Sequence, residues 1–163
     1  MQLVRIVPPL AVLATVATML RAKRTLVTST PPGPVFDFLT DFRNAEQWDP
    51  GTVTCQLVEG DTGVGSVYRN VSSFFGKSME ITYTTVERDE GRRVVFRGHN
   101  DGFTGLDRLL VGASGAGSEV TYEVEYELHG SARLAQPLAA AYLPLLARKT
   151  MRQLGSTLDH LGR

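Results

Sequence analysis

The sequence is poor in the residues that build disulfides and metal sites. Its 163 residues include one cysteine, Cys55, and three histidines, His99, His129 and His160. A single cysteine cannot form an internal disulfide or a four-thiolate zinc site. The histidines fall in a predicted loop edge, at a predicted strand end and in the C-terminal tail, with no ligand spacing such as HxxxH or HxH. The sequence therefore predicts no metal.

The chain also has no excess of positive charge. The chain carries 17 Lys and Arg residues against 17 Asp and Glu residues, a formal net charge of +0. Because nucleic-acid binding depends on neutralising many phosphates, we expect no nucleic-acid partner. The Gly-x-Ser-x-Gly motif of hydrolases and the glycine fingerprint of nucleotide sites do not occur, so no cofactor is predicted.

The remaining composition is that of one globular domain, with 42% hydrophobic residues, 16 glycines and 8 prolines. Its charge is unevenly spread, because residues 25–132 are acidic whereas both ends are basic. Two interpretations stay open. Acidic and basic surfaces pair within the fold or remain solvated, or the basic ends contact an anionic membrane surface.

Residues 1–24 form a separate apolar segment with a basic flank. Ile6 to Leu20 is almost entirely apolar, and Arg21, Lys23 and Arg24 follow it. As a helix, this stretch would rise about 22 Å at ~1.5 Å per residue, which is short of the ~30 Å hydrocarbon core of a bilayer. The basic flank argues against a secretory cleavage site.

We keep two alternatives for this segment. It contacts the membrane surface, in which case the positive flank keeps the body in the cytoplasm, at the inner face of the membrane. Alternatively, translation starts at Met19, and the chain from there is an ordinary strand-forming N-terminus. We predict a cytoplasmic protein with a domain over residues 25–163, and we leave its oligomeric state open.

The body of the chain predicts an α+β fold. A β-branched run, Thr25 to Thr30, precedes a proline-rich turn and two short helices with one apolar face. From Val53 to Leu128, closely spaced strand patterns alternate with turn clusters, which is typical of antiparallel hairpins. Ser131 to Leu161 has helical periodicity throughout. We therefore expect about seven antiparallel strands covered by one long C-terminal helix.

Several short motifs accompany this order of elements. They are Pro34 to Asp41 with Trp48-Asp49-Pro50, Gly63-Val64-Gly65, Val86-Glu87-Arg88, Arg92 to Phe96, Gly105-Leu106-Asp107-Arg108, and Gly117 to Tyr122. The order and the motifs together resemble the polyketide cyclase/dehydrase branch of the START-like superfamily (SRPBCC, helix-grip fold), over residues 25–161. The resemblance implies a curved antiparallel sheet wrapped around the C-terminal helix, with a hydrophobic cavity between them that takes lipids, polyketides or other apolar molecules.

Aromatic residues on apolar strands and helices are the candidate ligand-binding residues. Tyr122 and Tyr126 share the apolar face of the clearest predicted strand, Glu119 to Leu128, and are the strongest candidates for cavity lining. Trp48, the only tryptophan, fits either a core anchor or a ligand contact. The full set is Trp48, Tyr68, Tyr83, Phe96, Tyr122, Tyr126 and Tyr142.

Three residues are weak catalytic candidates. His99 and Asp101 have the types of a base and its orienting acid, although His-Asn-Asp-Gly is also an ordinary turn sequence. Arg108 could stabilise an enolate or bind a ligand carboxylate. Asp107 and Arg108 are adjacent on a predicted strand, so one faces the cavity and the other water, and the alternation does not decide which.

Three functions follow from these observations. The first is binding of a hydrophobic small molecule between sheet and helix. The second is cyclisation or dehydration of an aromatic polyketide-like substrate, so the sequence leaves open whether the protein is an enzyme. The third is a peripheral membrane or protein-interaction module that uses residues 1–24.

Overall fold

The computed structural model describes residues 19–162, so most of the predicted apolar segment lies outside the described residues. The described chain has the predicted α+β architecture, with seven strands, two short helices after the first strand and a long C-terminal helix. The elements are β1 (Leu20–Thr28), α1 (Pro32–Thr40), α2 (Ala45–Trp48), β2 (Thr52–Glu59), β3 (Val67–Phe74), β4 (Lys77–Asp89), β5 (Arg93–Asn100), β6 (Phe103–Ser114), β7 (Gly117–Leu128) and α3 (Gln136–Leu161). Short 3-10 segments, Phe42–Asn44 and Gly130–Ala135, precede α2 and α3.

The seven strands form one antiparallel sheet in the order β1-β7-β6-β5-β4-β3-β2. Strands β2 to β7 follow one another as hairpins, and β1 lies at the far edge beside β7. Helices α1 and α2 therefore connect the two edges of the sheet. This curved sheet around a terminal helix confirms the predicted helix-grip fold.

Strand β1 begins at Leu20, earlier than the Thr25 expected from the β-branched run. The reason is its alternation: Leu20 and Ala22 face Val124 and Leu143 in a small apolar cluster. Arg21 and Lys23, which alternate with them, point outwards, and Lys23 pairs there with Glu123 at 2.6 Å. The basic flank is therefore part of the sheet.

The outer face of β7 carries acidic residues, among them Glu123 and Glu125. Glu125 lies 3.5 Å from Arg21 of β1 and 3.4 Å from Arg108 of β6. Such exposed pairs each contribute little to stability, about 0–1 kcal/mol. They nevertheless show that part of the basic N-terminal charge is paired within the fold.

The core lies between the inner face of the sheet, α1 and the C-terminal half of α3. Leu154 and Leu158 of α3 are fully buried against apolar residues of α1 such as Val35 and Phe36. The N-terminal half of α3 behaves differently, because Leu138 there is 55% exposed. Within residues 19–162, no helix has the length and apolar character needed to cross a membrane.

Candidate functional site

An apolar cavity of about 230 Å³ lies between the sheet and the N-terminal half of α3. It is larger than an engineered apolar cavity of about 150 Å³ that binds benzene. The sheet contributes residues of β1, β3, β4, β5, β6 and β7, and the helical side is built from the 3-10 segment before α3 and the start of α3 itself. Its principal walls are Leu20, Met79, Ile81, Tyr83, Phe103, Tyr126, Leu128, Ala139, Tyr142, Leu143 and Leu146.

The cavity exists because the helical segment carries small side chains where it faces this part of the sheet. Ala132, Ala135 and Ala139 line the cavity. Further along the same helix, Leu154 and Leu158 fill the corresponding space with fully buried side chains. One end of the sheet is thus packed solid, and the other is hollow.

A smaller recess of about 30 Å³ adjoins the cavity. It differs from the cavity in chemistry, since two carboxyl groups, Asp49 and Asp107, form part of its wall. Rings surround them, including Phe42, Trp48 and Tyr122. Five residues line both spaces and so connect them, namely Phe74, Tyr83, Tyr126, Leu143 and Leu146.

Asp107 of β6 is a buried carboxyl group in the wall of the recess. Its side chain is 2% exposed, and its Oδ1 accepts hydrogen bonds from the hydroxyls of Tyr126 at 3.0 Å and Tyr122 at 3.2 Å. Burial raises the pKa of this carboxyl from 3.8 to about 7, against the lowering effect of the tyrosine hydrogen bonds, in which Tyr83 also takes part. A carboxyl group with this pKa exchanges its proton near neutral pH.

Asp49 follows α2 and is held by a local turn. Its Oδ1 accepts from the backbone N–H of Gly51 at 3.1 Å, and its Oδ2 accepts from the Thr52 hydroxyl at 2.8 Å. Burial raises the pKa of Asp49, and these hydrogen bonds oppose the rise. The Asp49 charge also raises the pKa of Asp107.

The three tyrosines around Asp107 remain hydrogen-bond donors at any ordinary pH. Burial raises the pKa of Tyr83, Tyr122 and Tyr126 well above 10, and the charge of Asp107 raises it further. The rings of Tyr83 and Tyr126 fit because glycines face them across the sheet. Gly98 of β5 pairs with Tyr83, and Gly105 of β6 pairs with Tyr126.

Most of the predicted ligand-binding residues come together here. Tyr83 and Tyr126 line both spaces, Trp48 and Tyr122 line the recess, and Tyr142 of α3 lines the cavity. Trp48 is 1% exposed and contacts Tyr122 edge-on, with ring centroids 5.7 Å apart. It serves as a core residue and as part of the recess wall.

The other two predicted ligand-binding residues lie elsewhere. Tyr68 and Phe96 are fully buried, with ring centroids 6.2 Å apart, and both contact the ring of Phe42 in the packed core. Neither lines the cavity or the recess. Their positions are explained by packing, because the inner face of the sheet is already filled at that end.

The structure does not bring the three weak catalytic candidates to the cavity. His99 and Asp101 are exposed, at the end of β5 and in the turn after it. Arg108 lies on the outer face of the sheet beside Glu125. The residue that faces inwards is its neighbour Asp107, which settles the question that strand alternation left open.

Asp49 is not among the site residues predicted from the sequence, and Asp107 is there one of two alternatives. Asp49 occurs only within the motif Trp48-Asp49-Pro50, and nothing in that motif indicates burial. In the described chain, no group of three or more His, Cys, Asp or Glu side chains is arranged to hold a metal ion.

Comparisons with known proteins agree with this architecture. No curated protein matches the sequence. Among solved structures, the chain is similar to the ZhuI aromatase/cyclase from Streptomyces sp. R1128, with a TM-score of 0.76 and 13% identity, covering 90% of this chain and 97% of that one. It is also similar to TTHA0849 from Thermus thermophilus, with a TM-score of 0.68 and 19% identity, covering 88% and 96%.

A third similar structure is Ara h 8.0201, with a TM-score of 0.56 and 16% identity, covering 84% of this chain and 99% of that one. At these identities the likeness concerns the fold. A family model described as "Polyketide cyclase / dehydrase and lipid transport" matches residues 19–159. Because this match covers nearly all of the described chain, the protein belongs to the polyketide cyclase/dehydrase and lipid transport family.

Proposed function

We propose that the protein binds a hydrophobic small molecule, lipid-like or polyketide-like, in the cavity between the sheet and α3. The observation that carries this proposal is the cavity of about 230 Å³ with mostly apolar walls. Few polar groups interrupt those walls, and two of them, the Tyr83 and Tyr126 side chains, also line the recess, so they would orient a ligand rather than solvate it. A cavity of this size is unfavourable to leave empty, because its lining forfeits dispersion contacts that a bound molecule restores.

The first test identifies the ligand and its place. The protein is purified gently, measured by native mass spectrometry and extracted with organic solvent. We expect an additional mass that disappears on denaturation. Binding of the extracted compound is then measured with Ala139→Phe, which fills the cavity, and with Ala141→Phe, whose side chain starts from an exposed position on the same helix.

We expect Ala139→Phe to weaken binding at least about tenfold, since the new ring occupies the ligand volume. Ala141→Phe should bind as the unchanged protein does. Equal affinity of both variants would contradict the cavity as the binding site.

A second candidate function is the cyclisation or dehydration of a polyketide-like substrate, and Asp107 favours it. Ring closure requires removal of a proton from a carbon next to a carbonyl group. A carboxyl whose pKa lies at about 7 is suited to that task, and the nearby tyrosine hydroxyls are donors of the kind that stabilises an enolate oxygen.

This function can be tested without the natural substrate. In deuterated water, the protein should accelerate hydrogen–deuterium exchange at the carbon next to the carbonyl of 2-tetralone, followed by NMR. Asp107→Asn removes the base and should abolish the acceleration. An Asp107→Asn variant that exchanges the ketone as fast as the unchanged protein would exclude Asp107 as the base.

A further inference from the structure

The recess beside the cavity has a chemistry that selects the polar end of a ligand. We propose that the recess binds the hydroxyl group of an otherwise apolar molecule and excludes a carboxylate. This inference rests on the proposed binding function and specifies the class of ligand. Three properties of the recess carry it: its size, its charge, and its unpaired hydrogen-bonding capacity.

The size of the recess limits the head group to one small polar group. Its volume of about 30 Å³ corresponds to roughly the share of one water molecule in the liquid. The adjoining cavity of about 230 Å³ is the space for the apolar body of the ligand. Tyr83 and Tyr126 line both spaces, so a ligand that fills the cavity reaches the recess with its end.

The charge of the recess opposes an anionic head group. Asp49 and Asp107 both form its wall, and none of its described lining residues is lysine, arginine or histidine. A carboxylate placed there would meet two carboxyl groups without a compensating cation in a water-poor site. The desolvation of three such groups is unfavourable. Fatty acids and other ligands ending in a carboxylate are therefore poor candidates.

The hydrogen-bonding groups of the recess favour a head group that both donates and accepts. Asp107 is an acceptor, already bound by the Tyr122 and Tyr126 hydroxyls. Trp48 lines the recess and is 1% exposed, and its indole N–H has no acceptor among the described residues. A hydroxyl donates to a carboxylate and accepts from an N–H, whereas an ammonium group only donates.

The pH dependence of binding distinguishes these head groups. The titratable groups around Asp107 are Tyr83 on β4, Tyr122 and Tyr126 on β7, and Asp49 after α2, while α3 contributes the uncharged Thr150. Burial raises the pKa of Asp107 to about 7, so this group loses its proton between about pH 6 and about pH 8. A hydroxyl can accept from the neutral acid or donate to the carboxylate, so its affinity should change little.

The experiment compares three probes that share one chain and differ in head group: 1-octanol, octanoate and octylamine. Trp48 is the only tryptophan, so its fluorescence reports on the recess, and calorimetry gives the affinity. We expect 1-octanol to bind at least about tenfold more tightly than octanoate at about pH 6. This difference in affinity should be larger at about pH 8, where Asp107 is charged. At about pH 6, octylamine should bind more weakly than 1-octanol.

Asp107→Asn tests the role of the carboxyl group, and Asp37→Asn is its matched control. Asp37 is an exposed residue on α1, so this variant makes the same chemical change outside the site. In the Asp107→Asn variant, the difference in affinity between 1-octanol and octanoate should be the same at about pH 6 and about pH 8. In the Asp37→Asn variant, this difference should still grow with pH, as in the unchanged protein. If Asp107→Asn does not fold, the comparison of the three probes with the unchanged protein still decides.

The outcomes separate this inference from the proposed function. Octanoate binding as tightly as 1-octanol, or octylamine binding more tightly at about pH 6, would overturn the hydroxyl assignment and leave the cavity as a binding site. Failure of all three probes to bind would overturn the binding function together with the head-group assignment.

Discussion

Asp107 should make the stability of the protein depend on pH. Its pKa rises from 3.8 to about 7 on burial, so the folded protein retains a proton that the unfolded chain releases. Because the folded state then binds more protons than the unfolded state, the free energy of unfolding falls as the pH rises from about 4 to about 7, and it levels off above that. The shift corresponds to about 4 kcal/mol.

Asp107→Asn should flatten this dependence, since the amide does not titrate. The measurement is urea unfolding of both proteins between about pH 5 and about pH 8, where the free energy of unfolding of the variant should vary less. Asp49, whose pKa is also raised by burial, should add a slope of the same sign in both proteins. Identical slopes in the two proteins would show that Asp107 does not carry the proton.

At the scale of elements, strands with strict alternation could be predicted from the sequence. The pattern from Glu119 to Leu128 has one apolar face, and β7 spans Gly117–Leu128 with Val120 and Val124 buried. The buried face of strand β6 was harder to predict, because Leu106 and Leu110 on one face are as apolar as Leu109 and Val111 on the other. Either face of β6 could have pointed to the core, so only the packing of the whole sheet shows that Asp107 points inwards.

The cavity itself could not be derived from residue patterns. The alanines at the start of the helical segment and the leucines at its end recur with the same periodicity. Only the distance between helix and sheet shows that the leucines fill the space between them and that the alanines leave it open. The two glycines opposite the tyrosines were an available signal. A glycine inside a strand often marks a close approach of another group.

Gly105→Ala tests this close approach. A Cβ atom at Gly105 would lie 2.6 Å from Cζ of Phe103 and 2.7 Å from Cδ1 of Tyr126, so both rings would have to move. We expect destabilisation of about 1–3 kcal/mol, the usual result of overpacking, and a weaker hydrogen bond from Tyr126 to Asp107.

The matched control is Gly112→Ala, on the same strand, where a Cβ atom would meet nothing within 4 Å. Its free energy of unfolding should stay within about 0.5 kcal/mol of the unchanged protein. Urea unfolding measures both variants. Equal stabilities of the two variants would mean that the rings adapt without cost.

At the scale of the whole molecule, the packed and hollow ends of the sheet should differ in local stability. Met151, Leu154 and Leu158 of α3 belong to the large core cluster, whereas Leu143 belongs to a small cluster beside the cavity. Segments with few buried apolar contacts open with a smaller free energy than the core does. Backbone amides around Leu143 should therefore exchange with solvent faster than those around Leu154.

A bound ligand should reduce the difference in hydrogen exchange between the two ends of α3. It replaces the missing contacts at the hollow end, and a ligand that binds only the folded state stabilises it by about 2.7 kcal/mol at a concentration of 100 times its Kd. Hydrogen exchange followed by mass spectrometry should show slower exchange around Leu143 on addition of 1-octanol, while exchange around Leu154 stays nearly constant. Equal protection along all of α3, with and without 1-octanol, would mean that the helix opens as one unit and that the hollow end is no weaker than the packed one.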